Sequence, residues 1–380
     1  MKPKNEKQPK TWRKVKLGEV LELKYGFGLP ETKRKTGRVP VFGSSGIVGA
    51  HNEAAVQSQG IVIGRKGHVG SIHYSNVPFY PIDTVYYVDQ LKIPGDIKFF
   101  YYFLKRMPFQ QIGSDVGVPG LNRDIAYSLE VKIPEDPNIQ KRIADVLSAF
   151  DDKIELNNKI NQTLEQMAQA IFKEWFVSPS IALAEEDKLP KGWRVGKLGE
   201  LMVARKEKFR KYEEWKNLKL LDLGRFPQKS LAITSYGKGE EIKTAGIGFK
   251  KGDVLFGAVR PYFHKVVIAP FDGVTNSSVF VITPKKESSY AFLVTVLFSE
   301  NTVNYASMSA SGTKMPVIKW EDLCDMEVLI PEERAIENFN KTVKNFYNLI
   351  IKNTLENQKL ASLRDLLLPK LMSGKILVKS

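Results

Sequence analysis

Cysteine is nearly absent from this chain of 380 residues. Its one occurrence, Cys324, rules out an intrachain disulfide and any zinc site built from cysteines. Histidine is scarce too: His51, His68, His73 and His264, with no pair at the helical spacing that a metal site uses. Long apolar runs are missing. The longest, Tyr290 to Phe298, falls well short of the roughly 20 residues a membrane helix needs. The first residues, "MKPKNEKQPKTWRK", are charged and lack the apolar core of a secretory signal, so a cytoplasmic chain is expected. Acidic residues are outnumbered, 42 Asp and Glu against 57 Lys and Arg, for a net charge of +15. That excess points to a polyanionic partner, most often nucleic acid, although a merely basic surface would also account for it.

Catalytic constellations are missing as well. There is no G-x-x-x-x-G-K-[ST] nucleotide loop, since "SGTK" at 311–314 places Thr before Lys. "GFG" at 26–28 is too short for a dinucleotide fingerprint. The Asn-Pro-Pro-aromatic motif of adenine methyltransferases does not occur. Asp83 with Glu130 and Lys132 is the nearest approach to a nuclease centre. The second copy of that stretch reads Glu-Val-Leu, so the lysine is not shared.

What the chain does contain is a phrase written twice. "WRKVKLGEV" at 12–20 returns as "WRVGKLGEL" at 193–201. "PGLNRDIAYSLEVKIP" at 119–134 returns as "PVIKWEDLCDMEVLIP" at 316–331. The opening phrases are offset by 181 and the closing ones by 197, so the second copy carries roughly sixteen extra residues in its middle. Repeats in the same order mark a duplication.

After each closing Ile-Pro comes a stretch poor in Gly and Pro, about Asn138–Val177 and Glu332–Leu368. Phe150, Ile154, Asn157, Asn161, Leu164, Ala168, Ile171 and Trp175 follow a four-three spacing in the first. Phe339, Val343, Phe346, Ile350, Asn353, Asn357, Leu360, Arg364, Leu367 and Leu371 follow it in the second. This predicts two helices, each on the order of 55 Å long, that bury their stripes against each other and run antiparallel. Asn157 and Asn161 match Asn353 and Asn357. They either fix the register of the seam or lie solvated at its edge.

The expected architecture is α+β: two pseudo-symmetric mixed α/β domains joined by two long antiparallel coiled-coil helices. The segments are 1–137, a helix over 138–177, a linker over 178–192, a second globule over 193–331, and a helix with tail over 332–380. Strands are expected in "GIVIGRKGHVGSIHY" (60–74), "TVYYV" (84–88), "GDVLFGAVRPYFHKVVIA" (252–269) and "SSVFVI" (277–282), with Gly60 aligned on Gly252. Short helices are expected at 99–107 and 290–298. Candidate anion- or base-contacting residues are Arg65, Lys66 and His68 in the first loop, with Ser44 and Ser45 in "FGSSG". In the second copy they are Lys229, Arg260, Tyr262 and His264, with Ser311, Thr313 and Lys314 in "SASGTK". Arg pairs with guanine edges, and glycine-rich loops bring amides and hydroxyls to phosphates.

A divergent globule, a long helix, a second divergent globule and a second long helix resemble the DNA-specificity (S) subunit of Type I restriction-modification enzymes. The resemblance rests on the two opening phrases and on "IPEDPNIQKRI" (133–143). It rests also on "DDKIELNNKINQTLEQMAQAIFKEWF" (151–176) and "LRDLLLPKLMSGKI" (363–376). The second close, "IPEERAIENF" (330–339), departs from the first by lacking its Gln-Lys-Arg run. The resemblance implies a non-catalytic subunit binding double-stranded DNA. Each globule would be a target recognition domain for one half of a bipartite, asymmetric site, and the helices would set the spacing. Two methyltransferase subunits would dock on the helices, a motor-nuclease subunit can join, and the complex serves phage defence. No cofactor is expected on this chain; S-adenosylmethionine would sit on the methyltransferase and ATP on the motor. Three other readings are a stand-alone repressor, a fusion enzyme that cuts DNA itself, and a coiled-coil adaptor that binds no nucleic acid. Steep salt dependence of DNA binding separates the last from the rest.

Overall fold

The computed structural model describes residues 12–112, 120–177, 189–205, 207–209, 211–243 and 245–378. Most of the expected linker (178–188) and Pro119 of the first closing phrase lie outside these. The chain forms two compact units that do not follow its order. One comprises residues 1–151 and 362–380, the other 152–361. Both long helices, Pro137–Phe176 and Glu333–Met372, are therefore cut by the division. Each unit owns the start of one helix and the end of the other.

The repeated phrases are strand partners. Trp12–Lys16 pairs antiparallel with Glu130–Pro134, Val15 opposite Val131. Arg194–Lys197 pairs in the same way with Glu327–Ile330. The phrase Lys-Leu-Gly-Glu then has one job per residue in both copies. Leu17 and Leu198 are fully buried in the cores. Their amides donate to Leu129 O and Met326 O at 3.0 and 2.8 Å. A Cβ on Gly18 would lie 2.8 Å from Tyr127, and one on Gly199 2.9 Å from Cys324, so only glycine allows the approach. Glu19 and Glu200 accept from the amides of Lys16 and Lys197 at 3.1 and 2.8 Å, satisfying a donor that the short helical turn leaves open.

Each unit then has an antiparallel four-stranded sheet of the same order. In the first it runs Lys24–Tyr25, Val85–Val88, Gly60–Gly64, Ile72–Ser75; in the second Met202–Ala204, Val279–Pro284, Val254–Gly257, Val266–Ile268. The central strands, covered on both faces, are uniformly buried, which is why they read as unbroken apolar runs. Helices Ile97–Leu104 and Tyr290–Leu297 pack into the two cores. The accessory sheets differ: three strands over 39–51 and 80–81 in the first unit, five between 208 and 275 in the second. Most of the surplus length lies there, between Arg205 and Val254.

Register corrects one alignment. Gly64 opposes Val85 and Gly257 opposes Val279, each at the end of its central strand. Gly64, not Arg65, is thus the counterpart of Gly257, one residue away from the match of Gly60 with Gly252. The strands are so alike in hydropathy that composition cannot fix a register which hydrogen bonds fix at once.

Within the second unit the helices pair antiparallel. Asn157 donates to Asn357 Oδ1 at 2.9 Å and to Glu356 Oε2 at 2.8 Å, and Asn353 donates to Asn161 Oδ1 at 2.9 Å. Asn157 and Asn161 are almost wholly buried, so the solvated-edge alternative falls. Leu164, Ile171, Phe346 and Ile350 join the same apolar cluster. Leu367 joins that of the first unit; Phe150, Ile154 and Leu360 are half-buried. Towards the end of the first helix the stripe rotates. Phe176 is 4 % exposed and Trp175 39 %, as expected when a 3.6-residue helix drifts off a strict 3.5 repeat.

The first helix is tied to its own unit by Gln140, whose amide donates to Pro134 O at 2.9 Å and accepts from Asp96 N at 3.0 Å. Buried Ile336 stands at the equivalent place in the second unit. There Asn340 makes the link instead, accepting from Ala291 N at 2.9 Å. Among the described residues no helix is long and apolar enough to cross a membrane.

Candidate nucleic-acid interface

In the first unit the loop after Gly60–Gly64 is closed by its own backbone. Arg65 and Lys66 amides donate to Thr84 O at 3.0 and 3.1 Å, Gly70 N to Gly64 O at 2.8 Å, and Leu121 N to Arg65 O at 2.9 Å. Gly67 and Gly70 both have a φ of 76°, a left-handed conformation that glycine takes without strain. Ser44 stitches the neighbouring turn onto this loop. Its carbonyl accepts from Ser71 Oγ and lies 3.3 Å from His73 Nε2, and its hydroxyl accepts from His68 N at 3.4 Å. Burial lowers the pKa of His73. Ser44, Arg65, Lys66 and His68 are thereby brought together, with Lys66, His68 and Ser45 exposed.

Arg65 is already engaged. Its Nη2 donates to Asp83 O at 2.7 Å, and its guanidinium carbon lies 5.2 Å from the Tyr25 ring. The Arg123 guanidinium carbon is also 5.2 Å from that ring, within cation–π range. Tyr25 and neighbouring Phe27 are substantially exposed. This basic-aromatic cluster was missed from sequence. "KYGFG" carried the signal, two aromatics alternating with glycine beside a lysine, but its glycines are too few to mark a nucleotide fold.

The second unit builds its counterpart under strain. Among the described residues the non-glycine positions with positive φ are Lys229, Arg260 and His264, at 53°, 51° and 50°. All three cluster about the turn Pro261–Phe263. Lys229 N donates to His264 O at 2.9 Å, and Arg260 N to Pro316 O at 2.7 Å. Arg260 Nη2 reaches Lys314 O at 3.2 Å. Ser311 and Val317 exchange backbone bonds of 3.1 and 2.9 Å, so the loop bearing Ser311, Thr313 and Lys314 folds over Arg260. Those three are exposed, and Tyr262 is 53 % exposed. Met308 and Met315, also well exposed, border the same region and were not foreseen.

His264 is a correction. Its ring is buried, its Nε2 lies 2.9 Å from Phe298 O, and Glu300 is 3.7 Å from Nδ1. Burial lowers its pKa and so favours the neutral ring, and the buried ring has no surface to offer DNA. A histidine inside a basic turn reads as solvated from sequence, but the left-handed backbone turns this one inwards. Lys229 remains exposed, with Nζ 2.9 Å from Glu300.

Register makes the two loops comparable residue by residue. Arg65 and Ala258 each accept a backbone bond, from Leu121 and Ile318. Lys66 bridges Gly120 as Val259 bridges Val317. Gly67 and Arg260 follow. The frame is shared and the side chains on it are not. Among the described residues no group of three or more His, Cys, Asp or Glu is placed to hold a metal.

Comparison with known proteins agrees with this construction. Residues 9–166 and 190–364 match the family described as Type I restriction modification DNA specificity domain. The MjaIX specificity subunit of a Type I restriction enzyme, from Methanocaldococcus jannaschii, is 27 % identical, covering 98 % of this chain and 95 % of that one. The HindI specificity subunit, from Haemophilus influenzae, is 25 % identical over 68 % of this chain and 71 % of its own length. A solved Type I restriction-modification S subunit from M. genitalium shares the fold, with a TM-score of 0.62 and 18 % identity over 97 % of each chain. With two matched halves built on one strand frame, this chain belongs to the Type I restriction-modification DNA specificity family, whose members are the non-catalytic, DNA-recognising subunits of those systems.

Proposed function

We propose that the two units are target recognition domains, each reading one half of a bipartite, asymmetric DNA site. The observation that carries this is the shared frame with unlike loops: Arg65, Lys66 and Gly67 in one unit stand where Ala258, Val259 and Arg260 stand in the other. Two readers of one build and different side chains call for two different half-sites. Arg65, Lys66, His68, Ser44 and Ser45 serve the first; Arg260, Tyr262, Lys229, Ser311, Thr313 and Lys314 serve the second. Strain at Lys229 and Arg260 supports the second set, because left-handed non-glycine residues cost on the order of 1–3 kcal/mol each and persist where function holds them. The net charge of +15 supplies affinity through phosphates, and base-edge contacts supply selectivity.

The long helices set the distance between half-sites and offer docking surface to two methyltransferase subunits, with a motor-nuclease subunit joining for restriction. S-adenosylmethionine and ATP belong to those partners. The buried asparagine seam supports the ruler, since hydrogen-bonded polar pairs hold one register of the helices. The test is co-expression with the cognate methyltransferase in a host lacking N6-methyladenine, followed by long-read mapping. A split motif of two unlike parts with a fixed gap, dependent on this chain, is expected. Methylation with a single continuous motif would overturn the reading.

A further inference from the structure

A carboxylate on the first long helix reaches into the second recognition loop. Glu165 is 5 % exposed. Its Oε1 accepts from Leu231 N at 2.7 Å and from Ser230 Oγ at 3.0 Å. Burial raises its pKa, and the hydrogen bonds from Leu231, Ser230 and Ala232 oppose that rise. A buried acid is unfavourable unless its hydrogen bonds are strong, and an ionised acceptor makes stronger ones than an amide.

What it holds is the strained turn. Leu231 O accepts from Ile268 N at 3.0 Å, and Lys229 N donates to His264 O at 2.9 Å. Residues 229–231 are thus bound on one side to the 264–268 segment and on the other to Glu165. Lys229 and His264 are two of the three left-handed non-glycine residues among those described. His264 closes the turn that Arg260 opens. On the offset of 196 that relates Asn157 to Asn353, the position matching Glu165 is Ala361, which has no acceptor side chain. The device and the strain occur in the same unit.

We propose that Glu165 is a positioning residue for DNA recognition: from the long helix it fixes residues 229–231, and through them the left-handed turn that presents Arg260. The inference rests on the reading of that turn as half-site recognition. Removing the carboxylate leaves two donors of one loop without their acceptor, and the turn relaxes towards unstrained conformations.

The whole chain, assembled with its methyltransferase subunits, provides the test. N6-methyladenine is mapped for wild type, Glu165→Ala, Glu165→Gln and Arg260→Ala. Glu165→Ala is expected to lower methylation at intact sites several-fold and to relax base requirements in one half of the motif. That half is the one Arg260→Ala affects. Glu165→Gln, which keeps an acceptor oxygen, recovers most of the strictness. Hydrogen exchange supplies a readout independent of DNA: the Leu231 amide exchanges at least tenfold faster in Glu165→Ala, with the rest of the unit unchanged. Relaxation of both halves, or acceleration across the whole unit, would make Glu165 a general structural residue and overturn the proposal. If Arg260→Ala relaxes one half and Glu165→Ala neither, positioning fails while half-site recognition stands. If Arg260→Ala relaxes neither, both fail.

Discussion

Gly67 and Arg260 occupy one position of a duplicated loop, and both have left-handed backbones, at φ of 76° and 51°. Glycine meets that requirement freely; arginine meets it against its own Cβ. The second unit therefore keeps a strained residue where the first shows that an unstrained one fits. Arg260→Gly is expected to raise stability by roughly 0.5–1 kcal/mol, after allowing for glycine's greater freedom in the unfolded chain. It should also weaken recognition of one half-site. Denaturant unfolding beside methylation mapping checks both parts. A destabilised variant with intact recognition would contradict them.

A second contrast lies where each domain helix meets a long helix. Tyr102 donates to Asp151 Oδ2 at 2.6 Å, and Arg364 pairs with the other oxygen of Asp151. In the second unit, Thr295 Oγ1 and Tyr347 OH stand 2.5 Å apart at the matching place. Arg364→Ala leaves a half-buried carboxylate without its cation and should destabilise the first unit by about 1–2 kcal/mol. Tyr102→Phe should cost about 1 kcal/mol. Unfolding of the single and double variants measures the coupling, and strict additivity would show that the three do not act together.

His264 gives a pH dependence. Burial holds its folded pKa below the ordinary 6.5, so the unfolded chain binds a proton that the folded chain refuses. Stability should fall as pH drops below about 6.5, until the folded ring titrates as well. His264→Gln should flatten that part of the profile. A slope unchanged by the substitution would assign it to other groups.

The helices give a prediction about spacing. Removing seven residues from each, at matched positions, shortens both by about 10 Å and keeps the seam in phase. The preferred gap between half-sites should contract by about three base pairs, at roughly 3.4 Å per step. Methylation mapping of the shortened chain reads the gap directly, and an unchanged gap removes the ruler.

Much of the frame was legible in the sequence because it is written in patterns that obey simple rules. Trp12 and Trp193 mark the two starts, and the four-three spacing marks the helices. Two things were not legible. Periodicity places Ile61 and Val254 on central strands but leaves their mutual register open by one residue; only cross-strand hydrogen bonds decide it. The candidate site was less legible still. Arg260 and Lys229 look like ordinary basic loop residues until their φ angles are known. His264 looks the same and is buried. Glu165 sits in a polar helical stretch with nothing to distinguish it from solvated neighbours, because its partner loop lies 65 residues further along.

The first unit is finished by residues far along the chain from the rest of it. Leu371 and Met372 belong to its buried core, and Leu367 and Leu368 pack beside them. A ribosome making roughly 5–20 residues per second needs on the order of tens of seconds to pass from Asp151 to that segment. Until that segment arrives, the contacts that Leu371 and Met372 make in the first core are unmade. A chain that stops before Leu367 is expected to leave that part of the core open, and limited proteolysis of such a chain beside the full one checks this. The first unit is thus expected to reach its full stability only once the 367–372 segment has been made and has docked on it.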